Sequence, residues 1–291
     1  MTTYRIEHRT TYTYDSDVTG SYGLVHLRPR DLGWQTCVAH EVSIEPEPAD
    51  LFRHVDLYGN TMSYFHVVQP HTRLLVTSTS VVSVEVDELD PAALTVPWEQ
   101  ALPVSRIDDP EAWEATDFTF PSPYVEVPPS VEDYARQSFT AGRSIGEAVV
   151  DLMHRIHADF TYKSGSTTLT TKVSDLLEKR TGVCQDFAHV MVASLRSLGL
   201  AGRYVSGYLA SRPAPGKPRQ VEDAASHAWV GCWIPGAGWL YLDPTNDRLL
   251  DDSHTTVAWG RDYGDVPPVK GVIFTEAKKS TMEVSVGMAE A

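Results

Sequence analysis

Eight prolines fall between positions 91 and 129: Pro91, Pro97, Pro103, Pro110, Pro121, Pro123, Pro128 and Pro129. Proline fixes φ and lacks an N–H, which bars it from helix interiors and central strands. No long helix or central strand can cross that stretch, so the regular core must be built from what precedes and follows it. The 291-residue chain is thereby divided into a β-rich domain over 1–90, a proline-rich connector over 91–141 packed over both halves, a second core over 142–275 and a C-terminal tail over 276–291.

Before the prolines the pattern is that of strands. Thr3–Tyr14 is dense in aromatic and β-branched residues, with Tyr4, Ile6 and His8 on one face and Arg5, Glu7 and Arg9 on the other. Asp15-Ser-Asp17 marks a turn. Further strands are expected at Gly23–Arg28, His40–Glu45 and Leu74–Glu85, with a hairpin over Val55–Val68 bending at Tyr58–Thr61. Short strands at this spacing suggest a sandwich or a strongly twisted sheet.

After the prolines the period changes to that of helices. Ser130 is placed to cap a short helix through Ser138. Ile145, Val149, Leu152, Met153 and Ile156 form the stripe of a core-facing helix. Ser174 is placed to cap a short helix, and another should run from about Cys184 to Leu198 with Phe187, Val190, Met191, Ser194, Leu195 and Leu198 buried and Gly199 ending it. Strands follow at Arg203–Leu209, His227–Ile234 and Gly238–Asp243. Helices followed by strands read as an α+β core, and the whole chain as α+β.

Composition narrows the function classes. Hydrophobic residues make up 42% of the chain, enough for a packed core. A net charge of −15 disfavours nucleic acid and anionic membrane surfaces as partners. No apolar run is long enough for a spanning helix and no secretory signal opens the sequence, so a cytoplasmic setting is expected. Three cysteines, Cys37, Cys184 and Cys232, are too few for a disulfide framework, and no Cys-x-x-Cys is present.

One thiol stands in a special place. Cys184 follows Thr181-Gly182-Val183 and opens a predicted helix, where backbone N–H groups and the helix dipole favour a thiolate. A free cysteine is more often a small core hydrophobe, so position alone does not decide. His227 starts a strand and is placed to act as a general base. Asp243 ends the next strand, 16 residues on, where antiparallel neighbours would set a carboxylate on the imidazole Nδ1–H and fix its tautomer. Asp243 also suits a turn before proline. His154 and His157 share a helix face without a third ligand, so no metal is expected, and His189 faces away from Cys184.

The segment Arg180-Thr-Gly-Val-Cys-Gln-Asp-Phe-Ala188 resembles the nucleophile motif of the transglutaminase-like superfamily. Ser226-His-Ala-Trp229 resembles its histidine motif and Leu242-Asp-Pro-Thr245 its aspartate motif, in the same order. Tyr4–Tyr14 with Leu27-Arg-Pro-Arg30 is similar to the β-rich N-terminal region of bacterial members. The resemblance implies a papain-like core in which Cys184 is the nucleophile, His227 the base and acid, and Asp243 the orienting group. The backbone N–H of Cys184 becomes a candidate oxyanion donor. Tyr162 and Gln185 are further donors or pocket walls, Trp229 and Tyr208 line pocket or core, and Arg180 and Asp186 support the site, Arg180 pairing with Asp186 or a loop carbonyl.

The implied activity is that of a cysteine-dependent amide-bond enzyme. A peptidase or amidase acting through a thioester on a peptide or protein amide is favoured. The alternatives are a transglutaminase or amide-forming acyltransferase using an amine, and a silent binding scaffold. No cofactor is expected, and no Asp-x-Asp-x-Asp-Gly loop points to calcium. Arg212, Lys217 and Arg219 in the loop before His227 make either a basic rim or a solvated hairpin tip.

Overall fold

The computed structural model describes residues 1–86, 89–106, 108–210 and 225–291. The spine of the first sheet is β1 (Thr2–Val25), whose Tyr4, Ile6, His8 and Thr10 are buried while Arg5 and Arg9 are exposed. The turn expected at Asp15–Asp17 is a bulge inside this strand, for Thr13 pairs with Arg73 and Val18 with His71. The Asp15 carboxylate is used elsewhere, accepting from the backbone of Lys278 and Lys279 at 2.9 and 3.1 Å. With β2 (Gln35–Glu45), β3 (Asp50–Val55), β4 (Thr61–Val67) and β5 (His71–Val84), the strand order is β2-β5-β1-β4-β3, a single antiparallel sheet and not a sandwich. The β3–β4 hairpin turns where expected, with Asp56 accepting from Tyr58 and Asn60 and Gly59 at φ +76°.

The proline-rich stretch contributes short elements, α1 (Pro110–Thr116) and α2 (Pro129–Arg136), each opened by its proline. Ser130 therefore lies inside α2 rather than capping it. Next come α3 (Ile145–Asp159), capped by Ser144, β6 (Thr161–Tyr162), α4 (Val173–Lys179), β7 (Thr181–Gly182) and α5 (Cys184–Ser197). Ser174 does not cap α4 either. It is the second helical residue, and its hydroxyl donates to Glu126 at 2.6 Å. Gly199 ends α5 at φ +76° as expected.

The expectation of one buried face on α5 is corrected. Asp186 through Arg196 are all buried, because α2, α3 and α4 pack on one side and a second sheet on the other. That sheet comprises β8 (Gly202–Leu209), β9 (Ala225–Ile234), β10 (Gly238–Asp243), β11 (Arg248–Leu249) and β12 (His254–Gly260), in the order β11-β10-β9-β8-β12. Arg196 is buried, and among the described residues no carboxylate lies within ion-pair distance of it. Its guanidinium donates instead to the carbonyls of Phe118, Gly202 and Arg261 at 3.0, 2.9 and 2.6 Å.

The chain then returns to the first sheet. The residues set apart as a C-terminal tail contain β14 (Ser280–Glu290), and β13 (Val269–Thr275) leaves the second core as well. Both pair with β1: β13 along Val18–Val25 and β14 along Tyr4–Tyr14. They fill one edge of the spine, while β4 and β5 fill the other. A strand of this length leaves two long rows of unpaired backbone groups, and both rows are satisfied.

The two sheets share one buried cluster. Tyr4, Ile6, Val82, Val84, Val286 and Met288 of the first pack with the helices and with Ala228, Val230 and Cys232 of the second. Buried amides join them too. Gln35 bonds both backbone groups of Thr256, and Asn60 both of Trp259, which covers the outer edge of β12. Among the described residues no helix is long and apolar enough to cross a membrane. Arg212, Lys217 and Arg219 lie outside the described residues.

Candidate active site

Cys184 owes its position to the parallel pair β6–β7, in which Thr161 N donates to the Arg180 carbonyl at 2.9 Å and Lys163 N to that of Gly182 at 2.8 Å. Gly182 is required there, because a Cβ would stand 2.7 Å from the Asp186 Cβ. That close approach lets Asp186 Oδ2 accept from Val183 N at 2.8 Å and from the Thr167 hydroxyl at 2.7 Å. Burial raises the Asp186 pKa against these two bonds. Val183 precedes the helix and carries no side-chain acceptor to cap the N–H groups of the first turn of α5.

Arg180 takes neither expected partner. It lies 3.5 Å from Asp159 and over the rings of Tyr134 and Phe160, at φ +52°. Asp186 is already satisfied by its own loop, which leaves Arg180 to close α4 against α3.

His227 and Asp243 meet across β9 and β10, which pair antiparallel from Gly238↔Ile234 to Leu242↔Val230. The imidazole Nε2 lies 2.8 Å from Asp243 Oδ2. The nitrogen that faces the carboxylate is therefore Nε2 and not Nδ1, so Nδ1 is left for the thiol. Asp243 Oδ1 accepts from the backbone N–H of Thr245 and of Asn246 at 3.0 and 3.1 Å. The turn expected from Asp-Pro and the hydrogen bond to His227 are thus two uses of one side chain.

These contacts set the protonation of the pair. Burial alone would depress the His227 pKa, but hydrogen bonds to Asp243 and Cys184 outweigh it and hold the value up at about 9. Burial works against the Asp243 carboxylate too. Hydrogen bonds from His227, His254 and Asn246 override it and keep the group well below the usual carboxylate range. His227 is 8% exposed and Asp243 1%, so water screens this interaction little.

Cys184 and His227 open into a cavity of about 220 Å³. Gln185 lines it, as do Tyr204, Ser206, Ser226 and Tyr263. Tyr162 does not. It is 54% exposed outside the cavity, although near enough for a charge on Cys184 to raise its pKa together with burial. Trp229 is also absent from the wall. Its ring stands behind His227 at 6.0 Å and fits because Gly207 has no side chain, where a Cβ would come within 2.4 Å of the indole. Tyr208 is fully buried on the same sheet. Of the other two thiols, burial pushes Cys232 up to about 12 and raises Cys37 as well.

Sequence reasoning missed two residues. Asn246 Nδ2 donates to Asp243 Oδ2 at 2.7 Å and lies 3.2 Å from His227 Nε2. Its signal was the motif itself, Asp243-Pro-Thr-Asn246, in which the side chain three residues on folds back to the carboxylate. His254 is fully buried with Nε2 at 3.4 Å from Asp243 Oδ2 and Nδ1 at 3.0 Å from Asp251 Oδ1. It comes from β12, which β9 and β8 separate from β10, and no local pattern marks it. His154 pairs with Asp247 and His157 with the Thr245 carbonyl, so both tie α3 to the loop after Asp243. His189 is buried and accepts from Tyr263 N at 3.3 Å.

Comparison with known proteins agrees with this geometry. Residues 4–83 match the bacterial transglutaminase-like N-terminal region, and residues 132–244 match the transglutaminase-like superfamily. A crystal structure of a Cytophaga hutchinsonii protein, described as a candidate cysteine protease, superposes with a TM-score of 0.73 at 20% identity, covering 100% of this chain and 98% of the other. An uncharacterised protein of Mycobacterium tuberculosis is 47% identical over 97% of this chain and 91% of its own length. Over 51% of this chain and 22% of its own length, the protein-glutamine gamma-glutamyltransferase of Pseudomonas aeruginosa is 30% identical. The chain belongs to the transglutaminase-like superfamily, with the bacterial N-terminal region ahead of the core.

Proposed function

We propose that the chain is a cysteine-dependent amide-bond enzyme, a peptidase or amidase working through a thioester on Cys184. The observation that carries this reading is a buried imidazole, bonded to a carboxylate on one side and a thiol on the other, whose pKa stands at about 9. Such an imidazole keeps a proton at neutral pH, and the proton it keeps is the one the nucleophile must lose.

The steps follow from that pairing. The Cys184 sulfur attacks the amide carbonyl carbon, and the open N–H of Cys184 faces the oxygen as it gains charge. Protonated His227 Nδ1 gives its proton to the leaving nitrogen, the C–N bond breaks, and a thioester remains. Water then attacks the thioester while Nδ1 takes its proton, the C–S bond breaks, and a carboxylic acid leaves behind the Cys184 thiolate beside protonated His227. Asp243 holds the ring through Nε2 in both steps. If an amine replaces water the product is a new amide. The similarity of half the chain to a protein-glutamine gamma-glutamyltransferase supports that second reading.

Two measurements test the proposal. Limited iodoacetamide near neutral pH should alkylate Cys184 well ahead of Cys37 and Cys232, as read by mass spectrometry, and equal labelling of the three would count against an activated Cys184. Peptides and glutamine-containing proteins, with and without a primary amine, should then yield new termini or ammonia from the hydrolase and amine incorporation from the transferase. Loss of all three products in Cys184→Ala is expected, and activity surviving that change would sink the reading.

A further inference from the structure

The cavity that holds the thiol is not built by the second core alone. His8, Thr10 and Tyr12 of β1 and Met282 and Val284 of β14 form one of its walls, with Pro268 and Val269 from the start of β13. The register explains which residues these are. Tyr12 faces Met282 and Thr10 faces Val284, while one step further His8 faces Val286 and Ile6 faces Met288. Ile6, Val286 and Met288 are buried in the shared cluster, whereas Met282 and Val284 on the same face are 60% and 47% exposed. Along this face the first sheet therefore parts from the second core, and the catalytic cleft is the gap that opens.

The wall is fixed in place. His8 is 1% exposed and stands between Tyr208 Oη of β8 and Thr10 Oγ1, each at 3.1 Å. Among the described residues Tyr208 Oη has no other hydrogen-bond partner, so it donates to His8 Nδ1 and leaves Nε2–H to donate to Thr10. Burial holds the His8 pKa down at about 4, which keeps this link neutral. Among the described residues lining the cavity there is no Asp, Glu, Lys or Arg. Its volume of about 220 Å³ is below the range of pockets for larger ligands and suits a single side chain or short acyl segment.

We infer that the N-terminal sheet is the specificity wall of the active site, and that Thr10, Tyr12, Met282 and Val284 select an acyl donor whose chain beside the scissile carbonyl is short and uncharged. The inference rests on Cys184 as the nucleophile, but its test separates the two. Cys184 is alkylated with iodoacetamide, which is neutral, and with iodoacetate, an anion, and Cys37 in the same sample gives the reference ratio. The absolute rate reports on the nucleophile. The ratio of the two reagents reports on the wall and can be read even from a slow thiol.

Val284→Lys and Met282→Lys should each raise the iodoacetate-to-iodoacetamide ratio at Cys184 about three- to tenfold, and Val284→Glu should lower it by a similar factor. Ser285→Lys adds the same charge one residue along the strand on the opposite face, and should leave the ratio within about twofold of wild type. Unchanged ratios in the Val284 and Met282 variants would overturn the inference, as would a Ser285→Lys shift equal to that of Val284→Lys.

Discussion

Two histidines line the same cavity and are buried alike, His8 at 1% exposure and His227 at 8%, yet their pKa values move in opposite directions. His8 falls to about 4 and His227 rises to about 9. Burial penalises the charged ring in both. The partners differ: His8 lies between two hydroxyls, and His227 has a carboxylate at 2.8 Å. A buried imidazole is thus a neutral structural link or a proton store according to its neighbours, for His227 the Asp243 carboxylate first and the Cys184 thiol with it. The first sheet uses the neutral form as a fixed link, and in the proposed mechanism the second core uses the charged form for chemistry.

The most severe way to break that contrast is to remove the carboxylate. Asp243→Asn keeps the shape of the side chain but takes the charge from Nε2. The His227 pKa should then fall toward that of His8, and Cys184 alkylation at pH 7 should slow about a thousandfold, the middle of the range for a positioned acid–base group. Labelling within tenfold of wild type would show that the carboxylate does not set the protonation of His227.

The next effect is on stability, and the two residues should act on opposite limbs of the pH profile. The folded pKa of His227 is raised, so its stabilisation is complete below about 6.5 and is lost as the pH climbs through 9. The folded pKa of His8 is depressed. Its neutral form is favoured by folding, so its contribution is present above about 6.5 and is lost as the pH falls toward 4. Each limb is worth up to about 3 kcal/mol. Urea unfolding from pH 4 to 9.5 should show the alkaline limb flattened in His227→Asn and the acid limb flattened in His8→Asn, which removes the titrating ring. Identical profiles for the two variants would dissolve the comparison.

How much of this was legible in the sequence depends on how local each signal was. The α+β class followed from a change of period on either side of the prolines. Cys184 at a helix start, and His227 and Asp243 on adjacent strands, were nominated from segments of a few residues each. Where contact came from far along the chain, legibility stopped. Met282, Val284, Val286 and Met288 alternate as a strand should, yet nothing near them says that the partner is β1, some 280 residues earlier in sequence. His254 is only 11 residues from Asp243, but it sits on β12, which β9 and β8 separate from β10 in the sheet order, and no local pattern marks that crossing. The choice of Nε2 over Nδ1 is a rotamer, set by packing of His227 against Trp229 and Asn246, and no motif encodes it.

A third prediction converts one histidine into the other. Thr10→Asp would place a carboxylate near His8 Nε2, now 3.1 Å from the Thr10 hydroxyl. The His8 pKa should rise by about 2, into the range of an ordinary histidine, as followed by its imidazole proton shifts in NMR. A His8 that stayed near 4 would mean that the surrounding sheet, and not the partner, fixes its charge.

The smallest expected effect concerns Asn246. Its side chain donates to Asp243 Oδ2 at 2.7 Å, the same oxygen that receives His227. Removing it in Asn246→Ala takes away one charge-assisted hydrogen bond, worth about 1.5 kcal/mol. The loss is limited because Oδ1 is still held by the backbone N–H groups of Thr245 and Asn246, which the substitution leaves in place. Asp243 therefore keeps its orientation and loses only part of what lowers its pKa. Cys184 labelling should slow about tenfold, far less than in Asp243→Asn, and the alkaline limb of stability should shift to lower pH without vanishing. A loss as large as that of Asp243→Asn would make Asn246 an essential support of the imidazole, and the contrast with His8 would then rest on two neighbours instead of one.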